Sequence, residues 1–128
     1  MAIRVVRLGS PRAAGEGVRL GTVRHPPRGV PKSEYRSRGF YDVWLPELAP
    51  GATLVKAAQG AKSNSAWRAF ERKYRSEMKH HQAAHPLDLP VALSLVTDIA
   101  VGCYCEQESR CHRSVLRSLL EERGASLG

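Results

Sequence analysis

The run Ile99-Ala100-Val101-Gly102-Cys103-Tyr104-Cys105 constrains this chain more than any other segment. It is short and almost wholly apolar, so it reads as a buried strand over Ile99–Cys105. A few polar residues later, Arg113–Arg123 reads as a helix whose apolar face is Val115, Leu116, Leu119 and Leu120. Gly124 suits the position just past its end. Near the other terminus Ile3–Leu8 is β-branched, stops at Gly9-Ser10-Pro11 and reads as an opening strand. Strand and helix in alternation imply an α/β fold, a small sheet flanked by helices. At 128 residues the chain is expected to form one compact domain, spanning 1–128.

Between these ends the signals vary in strength. Residues 9–18 are a Gly/Pro/Ala stretch, and Val18–Val23 alternates as a second strand would. Pro26, Pro27 and Pro31 exclude a helix interior, because proline removes a donor and fixes φ. They make a loop that displays Arg24, His25 and Arg28. Asp42-Val43-Trp44-Leu45 begins an apolar segment stopped by Pro46, and Thr53–Ala58 suits a short helix. A longer helix is expected over about 66–84, with Ser63, Asn64 and Ser65 available as caps. Trp67, Phe70, Tyr74 and Met78 form its core stripe. Pro86 and Pro90 are expected to end it, with a further short helix beginning at Val91–Leu95.

Charge narrows the function classes. Twenty basic residues against twelve acidic ones give a formal net charge of +8. Residues 1–40 carry nine Lys/Arg and two Glu, so nearly all of the excess lies there, most of it as arginine. Arginine's planar fork suits phosphate or carboxylate. One reading is therefore a nucleic-acid-binding surface on the first forty residues; the plain alternative is a solvated arginine-rich face. Few aromatic residues remain for base stacking once the helix stripe is assigned. No apolar run approaches the length that spans a bilayer, and Met1–Arg7 is too charged for a secretory signal, so no membrane association and a cytoplasmic location are expected.

The cysteines single out one site. Cys103, Cys105 and Cys111 fall within nine residues, and an odd number in a chain of this kind argues for reduced thiols. The turn from the last strand into the last helix is where open α/β sheets bind ligands. A helix start offers unpaired N–H groups and partial positive charge to phosphate, sulfate or carboxylate. Arg110 and Arg113 add charged donors, and Cys103 and Cys105, two apart, face one side of the strand. Cys111, beside His112 and two arginines, is placed to be a thiolate nucleophile with His112 as base or proton donor. The same pair could simply cap the helix. The phosphatase pattern of cysteine, five residues, arginine is absent: Ser109 follows Cys103 at that spacing and Cys111 follows Cys105. Cys103, Cys105, Cys111 and His112 could together hold zinc or iron, although one intervening residue and a contiguous Cys-His pair depart from usual zinc spacing. No cofactor is otherwise expected. His80, His81 and His85 lack the carboxylate of a metalloprotease helix and read as solvated groups at a helix C-terminus.

Cys103-Tyr104-Cys105…Cys111-His112-Arg113 before an apolar helix resembles the family called domain of unknown function 488. Pro27-Arg28-Gly29-Val30, Asp42-Val43-Trp44-Leu45, Leu48-Ala49-Pro50 and Trp67…Phe70…Tyr74…Glu77 stand in the order that family shows, over most of residues 19–123. Gly51 stands where many members have serine. The resemblance implies a compact α/β domain and brings forward Arg24, Arg28, Asp42, Trp44 and the Cys111-His112-Arg113 turn as recurring positions, without implying an activity. The combined expectation is a small anionic ligand, phosphate-bearing for preference, contacted by Arg24, Arg28, Asp42, Cys105, Arg110 and Arg113. Cys111 and His112 would carry any thiol-dependent transfer or hydrolysis. A nucleic-acid-binding module and a Cys/His metal or redox protein are the alternatives.

Overall fold

Every residue of the strand β4 (Ile99–Cys103) is buried, because β4 lies between two neighbours. The computed structural model describes all 128 residues apart from the side chain of His81. On one side of β4 runs β1 (Ile3–Arg7), with Ile3 opposite Ile99 and Arg7 opposite Cys103. On the other runs β2 (Val18–Gly21), with Val18 opposite Ile99, and outside it the two-residue edge strand β3 (Val43–Trp44). All pairings are parallel and the order is β1-β4-β2-β3. Parallel pairing sends all the carboxyl ends to one edge of the sheet, and the cysteine turn leaves from the middle of that edge.

The close approach of β2 to β4 depends on Gly17, whose φ is +81°. A Cβ there would lie 1.8 Å from the Asp98 carbonyl oxygen, so both the backbone conformation and the space exclude a side chain. Further along, Leu8 covers Gly102 closely enough that a Cβ on Gly102 would meet its side chain at 2.6 Å.

Four α-helices follow or precede the strands: α1 (Ala52–Gln59), α2 (Asn64–Met78), α3 (His81–Ser94) and α4 (His112–Glu122). Ser63 caps α2 by accepting the Ala66 amide at 3.1 Å, and Trp67, Phe70, Tyr74 and Met78 are its buried stripe, as the spacing predicts. Ile3, Leu20, Ile99 and Val101 of the sheet meet that stripe and Val115, Leu116 and Leu120 of α4 in one core. Gly51, at the start of α1 with no side chain to cap it, has its amide held instead by the Glu77 carboxylate at 2.9 Å.

The helix expected over 66–84 is corrected. It stops at Met78, and His80, in extended backbone, starts α3, which runs through both Pro86 and Pro90. Ala83, Leu87, Pro90 and Ser94 share one buried face of α3, and packing that face outweighs the two hydrogen bonds the prolines remove. His80 and His85 therefore stand at the beginning of a helix rather than at the end of one; the His81 side chain lies outside the described residues. Trp44 is 42% exposed on its edge strand and donates its indole N–H to the Val23 carbonyl, so it packs at the surface and not in the core. No helix is long and apolar enough to cross a membrane.

Candidate functional site

Both flanking strands end before the site begins. Leu8 still donates its amide to the Cys103 carbonyl, after which β1 and β4 part. β2 stops at Gly21, two residues sooner than the alternating pattern suggests, and Thr22 turns to bond Gly102 through both its amide and its hydroxyl. That turn leaves the Thr22 carbonyl pointing away from the sheet, where it meets the Nε2 of His112 at 2.7 Å.

The chain after β4 is folded back by ion pairing. Arg117 on α4 makes a two-pronged contact with Glu108, at 2.8 and 2.9 Å, which closes the turn 106–110 over the start of the helix. The Arg117 guanidinium holds the Glu108 carboxyl below the usual carboxylate range, outweighing partial burial. Cys111 is the residue before α4, in extended backbone, and its side chain makes no cap bond. Its Sγ lies 3.8 Å from the Nδ1 of His112 instead. The two neighbours meet where the extended backbone of Cys111 gives way to the helix that His112 begins.

The His112 ring is fixed on three sides. Nε2 donates to Thr22, Nδ1 faces Cys111, and the ring edge packs on Tyr74 at a centroid distance of 5.5 Å. Donation from Nε2 leaves the lone pair of neutral histidine on Nδ1, directed at sulfur. Tyr74 is itself buried and donates its hydroxyl to the Leu48 carbonyl at 2.6 Å. Burial, reinforced by the neighbouring Cys111 and Cys103, pushes that hydroxyl well above its ordinary pKa, so Tyr74 is a neutral support.

The three thiols form one cluster. Cys103 Sγ and Cys105 Sγ are 3.8 Å apart, and Cys103, Cys111 and His112 each offer a donor atom within 4.8 Å of the others. Cys103 and Cys111 are buried and Cys105 is exposed. Hydrogen bonding to Cys105 and Cys111, together with burial, pushes the Cys103 thiol up. Hydrogen bonding with Cys103 pushes Cys105 and Cys111 down; Arg113 adds to the effect at Cys105 and His112 at Cys111.

A cleft of about 730 Å³ opens over this cluster. Cys103, Cys105, Cys111, His112 and Phe70 line it beside Phe40 and Tyr104, and Arg24, His25, Arg28 and Arg110 bring positive or ionisable groups to it. No carboxylate lines it among the described residues. Tyr104 is anchored by donating its hydroxyl to the His25 carbonyl, which ties the proline loop to the cysteine turn.

The structure thus brings together Arg24, Arg28, Cys105, Arg110, Cys111 and His112, but not all in the expected role. Arg24 spends its Nε and Nη2 on the carbonyls of Pro46, Ala49 and Pro50 and is chiefly a staple for that turn. Arg113 is buried behind the thiols rather than facing the cleft; it donates to the Cys105 carbonyl at 2.6 Å, and its Nε has no partner. Asp42 does not line the cleft: it pairs with Arg12 and Arg36 and accepts the Arg19 amide, orienting arginines by salt bridges. Arg110 lies 5.7 Å over the Trp67 ring and donates to Asn64, while Arg28 makes no hydrogen bond or ion pair with the described residues. Thr22 escaped sequence reasoning, because it acts through a backbone carbonyl that leaves no trace in residue type.

The charge of the first forty residues is partly built into the fold. Arg19 is wholly buried against Glu16, and Arg12 and Arg36 pair with Asp42. The weakly patterned 9–18 segment contributes the acidic partner of Arg19, a buried pair that its composition does not announce.

A family model described as the active DUF488-N3 subclade (DUF488-N3a) matches residues 3–124. Neither a curated protein nor a solved structure matches the chain.

Proposed function

The chain belongs to the domain of unknown function 488 family, and on that premise we propose that it binds a small anionic ligand, phosphate-bearing for preference, in the cleft over the Cys103–Cys105–Cys111 cluster, and acts on it by thiol-dependent group transfer or hydrolysis. The observation that carries this reading is the juxtaposition of Cys111 Sγ with His112 Nδ1, its ring oriented by Thr22, beneath a cleft that has arginines and no carboxylate. Arg28 and Arg110 would bind the anion as charged donors. Cys111 sulfur would attack the electrophilic atom, its proton passing to His112 Nδ1 and from there to the departing group. Water would then release the group carried on sulfur, regenerating the thiol.

A nucleic-acid surface is less favoured, because Arg12, Arg19, Arg24 and Arg36 are occupied by protein partners. Calorimetric titration with inorganic phosphate and pyrophosphate tests the binding half. Arg28→Ala and Arg110→Ala should each weaken binding roughly tenfold, about 1.4 kcal/mol. Unchanged affinity in both variants, or no binding to the parent, overturns it. Iodoacetamide labelling of Cys111, slowed by the bound anion, tests the chemical half.

A further inference from the structure

We propose that Cys103, Cys105, Cys111 and His112 form a tetrahedral Zn²⁺ site, with Cys105 as the exposed, exchangeable ligand at the cleft. This inference does not rest on anion binding, since the arginines stand where they do with or without an ion. It sets a condition on the chemical half of that reading: with zinc bound, Cys111 and His112 are ligands, so they form a reacting pair only in the metal-free protein.

The distances carry the inference. Zinc binds thiolate sulfur at about 2.3 Å and imidazole nitrogen at about 2.0–2.1 Å, so the edges of its tetrahedron are roughly 3.5–3.8 Å. The Cys103–Cys105 sulfurs are 3.8 Å apart, and Cys111 Sγ is 3.8 Å from His112 Nδ1. Cys103, Cys111 and His112 lie within 4.8 Å of one another, and Cys105, outside that group, joins it through its 3.8 Å contact with Cys103, so closing the figure takes side-chain movement that brings Cys105 toward the other three. The sequence objection was spacing. It falls because β4 ends at Cys103 with the Cys105 sulfur in contact, and because Cys111 and His112 meet at 3.8 Å where extended backbone gives way to helix.

Two surrounding features suit a metal rather than a bare thiol cluster. Zinc-bound histidines hand their other N–H to a carbonyl or carboxylate, and His112 Nε2 is already given to the Thr22 carbonyl, leaving Nδ1 as the free donor. Zinc binding releases the thiol protons, that of Cys103 included, and three thiolates with Zn²⁺ leave one net negative charge. The buried Arg113 guanidinium, with an unpartnered Nε, supplies a cation behind the site. Three buried donors and one exposed sulfur also match a centre with one position open to exchange.

Full-length protein purified under reducing conditions should contain one zinc per chain by mass spectrometry of the metal. Replacement by Co²⁺ should give the intense visible bands of tetrahedral cobalt and a thiolate-to-cobalt charge-transfer band. Cys105→Ser, at an exposed position, should fold, retain the ion and bind it at least tenfold more weakly. Cys111→Ser should lose the charge-transfer intensity of that ligand; in the parent, a chelator should speed labelling of all three cysteines. Metal-free protein that takes up no zinc or cobalt overturns the inference, as does binding that Cys105→Ser and Cys111→Ser leave unchanged. Metal-free protein whose Cys111 is readily alkylated and protected by phosphate would keep the proposed function while removing the metal. A zinc-loaded protein indifferent to phosphate would do the reverse.

Discussion

The imidazole of His112, at the start of the last helix, is held by the backbone carbonyl of Thr22, just past the end of the second strand, at 2.7 Å across ninety residues of chain. Because a carbonyl can only accept, this contact decides which ring nitrogen carries hydrogen and which faces the cysteines.

Replacing His112 should therefore cost more than a site residue usually does. His112→Ala removes a buried ring from against Tyr74 and orphans the Thr22 carbonyl. A loss of about 2–4 kcal/mol is expected, read as a lowered midpoint in urea. His112→Asn, whose amide can still donate toward Thr22, should recover part of that loss without restoring thiol reactivity or metal binding.

Arg24 and Arg28 lie in the same loop and should behave oppositely. Arg24 donates to three carbonyls of the turn 46–50, so Arg24→Ala should destabilise by roughly 1–3 kcal/mol. Arg28 has no such bonds, and Arg28→Ala should change stability by no more than about 0.5 kcal/mol. Equal thermal shifts in the two variants would contradict this division of labour.

Acid should loosen the clasp between residues 12, 19, 36 and 42. Burial alone would raise the Asp42 carboxyl, but the Arg19 amide and the Arg12 and Arg36 guanidinia overcome it and hold the group below its ordinary value. A carboxyl lowered in the folded state contributes stability that is present above its unfolded pKa of about 3.9 and lost as pH falls through the folded value. The stability gap between the parent and Asp42→Asn should accordingly be constant near neutrality and shrink below about pH 4, measured by urea unfolding across pH.

Gly17 should tolerate nothing larger. With φ at +81° and a Cβ placed 1.8 Å from the Asp98 oxygen, Gly17→Ala must shift β2 or β4. The strained backbone alone costs about 1–3 kcal/mol, before the clash is relieved. Thermal melting of Gly17→Ala against Gly15→Ala, where φ is +73° but space is open, separates the two causes.

What residue pattern determined by itself was local. The apolar run read as a strand over 99–105 is buried as far as Cys103, the stripe Trp67, Phe70, Tyr74 and Met78 is buried throughout, and Val115, Leu116 and Leu120 of the last helix are buried with Leu119 partly so, because burial follows side-chain spacing on a regular backbone. The thiol, imidazole and arginine cluster was also visible, since Cys103 to Arg113 are close in sequence. Tertiary structure decided the rest. Whether Pro86 and Pro90 end a helix depended on the core available to Ala83, Leu87 and Pro90, which outweighed a local penalty. Whether Arg24, Arg113 and Asp42 face a ligand or their own protein depended on carbonyls and charges brought in from other segments. The orientation of His112 came from Thr22, a contact made only when β2 and β4 pair and α4 folds back beside them. Long-range backbone contacts of that kind carry no sequence periodicity, because any residue can supply a carbonyl and only the fold says where it points.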